Sequence, residues 1–265
     1  MANLIGANNR FGDEFGHPGP NMQGNIVALY DIGCVLGSIM TYFIGEKLGR
    51  RSMLMLGGTI MIIGTIILTS STTIAQLIVG RIVTGIGNGM NSSTAPVYQS
   101  ECSPASFRGA LLASQGTVTI LGVVIAYWIG YGTSYTDSPL QWRFPLAFQA
   151  FFAICLVLQI IGLPETPRWL VAQDRDEEAR QVVSDLTDKP LHDIEVHTLI
   201  QDIRTGLEEE QRGGPFHFKE LFTMGKVQNF RRLLITISIE FIQQFSGSST
   251  SFSVFDSAIF CDPSS

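Results

Sequence analysis

The stretch NIVALYDIGCVLGSIMTYFIGEKLGRRSMLMLGGTIMIIGTIILTS, residues 25–70, decides the fold. It holds two apolar runs, about 25–44 and about 53–70, joined by a short basic connection. A helix needs roughly 20 apolar residues to cross about 30 Å of hydrocarbon, and each run is about that long. Further runs follow at about 76–98, 109–131, 144–163 and 233–255, the third the least apolar and the last serine-rich after Gly247. The whole chain agrees with this reading. Of its 265 residues 45% are hydrophobic and only 15% charged, against about 25% charged in a soluble domain, and the mean hydropathy is +0.25. The composition excludes a disulfide scaffold, a disordered tail and an ordinary soluble enzyme. It predicts an all-α polytopic membrane bundle of about six spans.

Basic residues predict how the spans are oriented. Lys47, Arg50 and Arg51 fall between the first two runs, Arg108 between the third and fourth, and ten more Lys and Arg in 168–232. The alternate connections carry only Arg10 and Arg143. If every run crosses, all three basic connections lie in the cytoplasm and both termini outside it. The expected organisation is an extracellular segment at 1–24, a five-span bundle at 25–163, a helical cytoplasmic linker at 164–230, the start of a second membrane half at 231–255 and a divergent tail at 256–265. In the linker, WLVAQDRDEEARQVVSDL and EVHTLIQDIRTGLEEEQR carry apolar residues at helical spacing. Asp188-Lys189-Pro190 separates them.

The formal net charge of −6 offers no footprint for nucleic acid. Cys34, Cys102, Cys155 and Cys261 form no metal-ligand pair, and no nucleophile–base pair, phosphate loop or cofactor site is visible, so neither an enzyme nor a metal protein is expected. His192 and His197 read as solvent-facing. Gly85, Gly87 and Gly89 read as points of close helix approach, since small residues let membrane helices touch. Arg81 lies inside the third run. It reads either as an interfacial residue that snorkels or as a partner for a carboxylate in a polar cavity. Asp31 is either an interfacial cap or a cavity residue. Glu46, Lys47, Arg50, Arg51, Glu101, Arg108, Glu165 and Arg168 should meet at the cytoplasmic face, either as plain topogenic charge or as a charge network that latches one conformation. Gln115, Gln243 and Gln244 are amides within apolar runs. Each wants a partner, either another helix or a polyhydroxyl ligand.

Five segments in order carry a resemblance: GEKLGRR (45–51), GRIVTGIGNG (80–89), PVYQSECSPASFRG (96–109), PETPRWL (164–170) and QQFSG (243–247). Together they resemble the sugar porter family of the major facilitator superfamily, in its fungal hexose-transporter-like branch, over about residues 1–247. The resemblance implies a partial major facilitator fold, truncated at both ends, because a member has twelve spans in two halves with the substrate between them. The position of Arg81 resembles that of the arginine which pairs with a first-helix aspartate in proton-coupled members. Gln243 and Gln244 match sugar-binding positions. Gln115 stands one residue before the matching position, and a one-residue shift turns a helical side chain by about 100°. Ser249 takes the place of an asparagine. The implied function is transport of a monosaccharide by alternating access, as a carbohydrate:proton symporter in the plasma membrane, with sugar, proton and membrane lipid as partners. The alternative is an inactive truncated fragment, or a sugar sensor or regulatory partner of a full-length porter.

Overall fold

The computed structural model describes residues 10–104, 107–136, 138–212 and 229–245. A short helix α1 (Arg10–Phe15) precedes five long ones: α2 (Pro20–Leu48), α3 (Arg50–Thr69), α4 (Ile74–Cys102), α5 (Arg108–Ser134) and α6 (Leu140–Ile161). The linker forms α7 (Pro167–Ala172), α8 (Asp176–Thr187) and α9 (Ile194–Arg212), and α10 covers Asn229–Phe245. The chain divides into two compact units, Ala7–Arg204 and a second containing Thr205–Ser265. The architecture described below is that of the first unit.

Among the described residues, four helices are long and apolar enough to cross a membrane, fewer than the six expected: Gly24–Leu48, Arg50–Thr69, Arg108–Ser134 and Leu140–Ile161. Their large apolar side chains point outward, as Val35, Phe43, Ile66, Val118, Trp128 and Leu158 do, the reverse of a water-soluble bundle. The third run of the sequence becomes α4, whose 29 residues extend about 43 Å at 1.5 Å each. It has the length to cross but is more polar than those four. The reason lies in its packing, since α4 is wedged between α2 and α3 and needs fewer lipid-compatible side chains. The sixth run is helical over Asn229–Phe245, and its remainder lies outside the described residues.

Glycine makes the wedge possible. The α2–α4 seam is parallel, and at its glycines backbone meets backbone. A Cβ on Gly33 would lie 2.5 Å from the Ile82 carbonyl oxygen and one on Gly37 2.1 Å from that of Ile86. On the other side, a Cβ on Gly85 would meet the Tyr30 carbonyl oxygen at 2.3 Å, and one on Gly89 that of Cys34 at 2.1 Å. The α3–α4 seam is antiparallel. There Gly57 faces Gly87 and Asn91, Gly64 faces Thr84, and Gly80 faces Leu68. Gly85, Gly87 and Gly89 therefore act as close-approach residues, with alternate ones serving opposite neighbours. Close van der Waals packing, rather than expulsion of water, drives such contacts in lipid.

The first amphipathic segment of the linker is broken where the sequence reading ran it as one. Asp174 takes a left-handed conformation (φ 56°) between α7 and α8, and the Arg175 amide donates to the Leu170 carbonyl. Asp188 is left-handed too (φ 53°) and ends α8, at the predicted break. Leu170, Val171, Ala179, Val182, Val183, Val196 and Ile200 are buried, so α7, α8 and the start of α9 carry the apolar stripe their spacing implied.

Candidate functional site: the two ends of the bundle and a buried arginine

At the basic end, side chains from distant parts of the chain cap one another's helices. Gly49 separates α2 from α3 at φ +88°, which frees the first amides of α3. A helix start carries unsatisfied N–H groups and partial positive charge. Glu165, more than a hundred residues later, supplies the acceptor. Its Oε1 receives the Arg50 amide at 2.8 Å and the Arg51 amide at 2.9 Å. A Cβ on Gly49 would stand 2.6 Å from Glu165 Oε2, so both the backbone angle and the space require glycine there.

Arg51 makes the reciprocal contact. Its Nε and Nη2 donate to the carbonyls of Ile160 and Ile161 at 3.3 and 2.9 Å, satisfying the last turn of α6. Trp169 Nε1 donates to the Glu46 carbonyl at 2.8 Å near the end of α2. Tyr98 donates its hydroxyl to the Pro164 carbonyl at 2.9 Å. Arg50 Nη2 lies 3.2 Å from Glu101 Oε1, and the Glu101 side chain is only 11% exposed. Its Oε2 is buried with no hydrogen-bond partner among the described residues. Burial pushes the neighbouring Cys102 thiol up to about 11, and Glu101 and Glu165 add to the rise.

Of the eight charged residues singled out in the sequence, the structure brings Arg50, Arg51, Glu101 and Glu165 together. Glu46 joins through its carbonyl, while its side chain is exposed. Lys47 and Arg108 are exposed, and Arg168 is half-buried on α7. Sequence reasoning missed Gly49, Tyr98 and Trp169 as members. Their signal was available, since all three sit inside the quoted motifs.

The opposite end holds a contact with no forecast. Glu14 of α1 accepts from Trp142 Nε1 at 2.8 Å through one carboxylate oxygen and from Arg143 Nη2 at 2.7 Å through the other. Phe11 and Phe15 pack edge-on against the Trp142 indole with centroids 5.8 and 5.5 Å away. Arg143 lies over the same ring at 4.9 Å and reaches the Ser71 carbonyl beyond the end of α3 at 3.4 Å. The opening segment, polar and glycine-rich in composition, thus docks its two phenylalanines on the start of α6.

Between the ends, Arg81 is half-buried on α4. Its Nε has no hydrogen-bond partner among the described residues, and its Cζ lies 6.0 Å from the centre of the Tyr30 ring. Below it the α2–α4 seam continues with polar pairs. Asn88 Nδ2 lies 3.8 Å from Cys34 Sγ, and Ser93 donates to Ser38 at 2.9 Å. Asp31 is exposed on α2, and Gln115 is half-buried on α5. Gln243 and Gln244 belong to α10 by backbone, but their side chains lie outside the described residues, as does Ser249.

The comparisons agree with this architecture. The family model described as "Sugar (and other) transporter" matches residues 9–260. The sugar transporter STL1 of Saccharomyces cerevisiae is 42% identical over 233 residues, which cover 85% of this chain and 40% of that one. An MFS-type transporter, oryC of Aspergillus oryzae, is 42% identical over 224 residues, 84% of this chain and 41% of the other. This chain thus spans about 40% of the length of those relatives. Among solved structures, the major facilitator proton:xylose symporter XylE bound to 6-bromo-6-deoxy-D-glucose superposes with a TM-score of 0.71 at 22% identity, covering 80% of this chain and 50% of that one. That identity speaks to the fold alone.

Proposed function

This chain belongs to the Sugar (and other) transporter family, and on that premise we propose that the protein moves a monosaccharide across the plasma membrane by alternating access, as a carbohydrate:proton symporter. The observation that carries this reading is Arg81. A guanidinium within an apolar bundle costs several kcal/mol unless it is paired or hydrated, and this one makes no hydrogen bond through Nε among the described residues. An anion or proton-carrying acid that visits it is the role it suits.

The capped basic end supplies the second element that alternating access requires. The Glu165 and Arg51 contacts tie the start of α3 to the end of α6 and to the residues just before α7, and a set of charge-assisted bonds can form in one conformation and break in the other. We assign this end to the cytoplasmic side, where its basic residues favour it. Gln243, Gln244 and Gln115 are the amides proposed to meet the sugar hydroxyls.

Uptake of labelled hexose in a transporter-null cell tests the reading. This chain is compared with a version carrying the twelve-span complement of its relatives. Uptake by the longer version that collapses with Arg81→Leu and with a protonophore is the expected result. Absence of uptake by the longer version rejects the sugar assignment. The competing reading, a non-transporting partner or sensor, predicts instead that this chain co-purifies with a full-length porter and adds no uptake of its own.

A further inference from the structure

We propose that Tyr30 is a positioning residue for Arg81: its ring face holds the guanidinium and leaves the N–H donors of that group for a polar partner. The inference rests on the reading of Arg81 as the coupling residue and adds the element that aims it. Arg81 and Gly85 are four residues apart on α4, hence one above the other on a single helix face. Gly85 is where α4 touches the Tyr30 carbonyl, so closely that a Cβ would stand 2.3 Å from it. The seam thereby fixes Tyr30 beside Arg81. The two helices run parallel at this seam, since Gly33 meets Ile82, Gly37 meets Ile86 and Cys34 meets Gly89. Side chains on a helix lean toward its N-terminus, so Tyr30 and Arg81 lean the same way and stay together.

The contact places Cζ 6.0 Å from the ring centre, at the reach of a cation–π attraction, which strengthens when water is removed. An attraction through the ring face consumes none of the five N–H donors of a guanidinium. A carboxylate in the same place would neutralise the charge and occupy the donors. Tyr30 instead holds the cation in place and leaves it able to bind an oxyanion or a hydroxyl. Its own hydroxyl is not required for that task, so phenylalanine should serve as well.

The test is the rate at which phenylglyoxal modifies Arg81 in the purified 265-residue chain in detergent, read by peptide mass spectrometry, with Arg143 as internal reference. Tyr30→Leu is expected to raise the Arg81 rate roughly fivefold, by loss of the ring attraction, with Arg143 unchanged, while Tyr30→Phe keeps the wild-type rate. Tyr30→Met serves as a second ring-free variant with a long apolar side chain. An unchanged Arg81 rate in both ring-free variants overturns the proposal. So does a Tyr30→Phe rate equal to that of Tyr30→Leu, or an equal rise at Arg81 and Arg143, which means a loosened fold. The readout needs no transport. Loss of the hexose assignment in uptake therefore leaves it intact, and its failure leaves the uptake result intact.

Discussion

Replacing Gly89 by alanine should unseat the α2–α4 seam. The added Cβ would lie 2.1 Å from the Cys34 carbonyl oxygen, while ordinary contact begins at 3.4 Å, so the shortfall is 3.4 − 2.1 = 1.3 Å. The obstacle is backbone within a helix, which cannot swing aside as a side-chain tip can. The helices must part by about that distance, and a gap of even 0.5–1 Å forfeits roughly a quarter to a half of each contact's attraction. Overpacked interiors lose about 1–3 kcal/mol, and a clash with backbone belongs at the upper end, about 3 kcal/mol. For a unit of this size that corresponds to a fall in melting temperature of about 6–12 °C. Tryptophan fluorescence during heating in detergent measures it. Gly116→Ala and Gly122→Ala are the controls, because a Cβ at either meets nothing within 4 Å. Gly37→Ala, 2.1 Å from the Ile86 carbonyl oxygen, should resemble Gly89→Ala. The double variant should cost less than the sum, since a seam already opened has room for the second methyl. If Gly89→Ala melts within a degree or so of Gly122→Ala, the tight seam is wrong and the role of glycine in wedging α4 falls with it.

Glu165→Ala removes the acceptor for two amides at the start of α3. It should cost about 2 kcal/mol, as the loss of a strong cap does, and Glu165→Gln about half of that; denaturant titration of both variants checks the order. On the proposed reading, with the contacts of a cytoplasmic end holding the outward-facing state, the same change in a full-length version should raise inward-facing states, seen as faster labelling of a cysteine placed on the cytoplasmic approach. A double-mutant cycle of Glu14→Gln and Arg143→Met should give a coupling of about 0.5–1 kcal/mol, because both side chains are about 30% exposed and partly screened. Trp142→Leu should cost more than either, since it strips the indole from Phe11, Phe15 and Glu14 together. Cys102, held up at about 11 by burial, should stay protonated and react slowly with iodoacetamide at pH 8.5. Unfolding should accelerate it severalfold, and equal rates in the folded and unfolded chain would contradict its buried setting.

Much of this protein was legible in its sequence because the bilayer imposes a one-dimensional code. Run length gave the helices of residues 25–163 within a few residues, with α2 beginning at Pro20, somewhat earlier than its apolar core. The helical spacing of the linker gave α8 and α9, and Asp188-Lys189-Pro190 gave the break between them. Gly85, Gly87 and Gly89 announced close contacts. What spacing does not contain is the rotation of one helix against another. Nothing local says that Gly89 meets Cys34 while Gly87 meets Gly57, or that α4 is polar because protein rather than lipid surrounds it.

The same limit separates the charges that meet inside the fold from those that face outward. Arg50, Arg51, Glu101, Glu165, Lys47 and Arg108 look alike on paper. Only the fold shows that Glu165 caps α3 across more than a hundred residues, while Lys47 and Arg108 face outward. Glu14, Phe11 and Phe15 read as part of a polar segment until Trp142 is placed opposite them. The sequence by itself determined which segments are helices and which family the chain resembles, because hydropathy and motif order are properties of neighbouring residues. The tertiary structure decided which glycine, carboxylate and aromatic ring find one another, because those pairings depend on helix register and rotation, which are set by packing against partners far away along the chain.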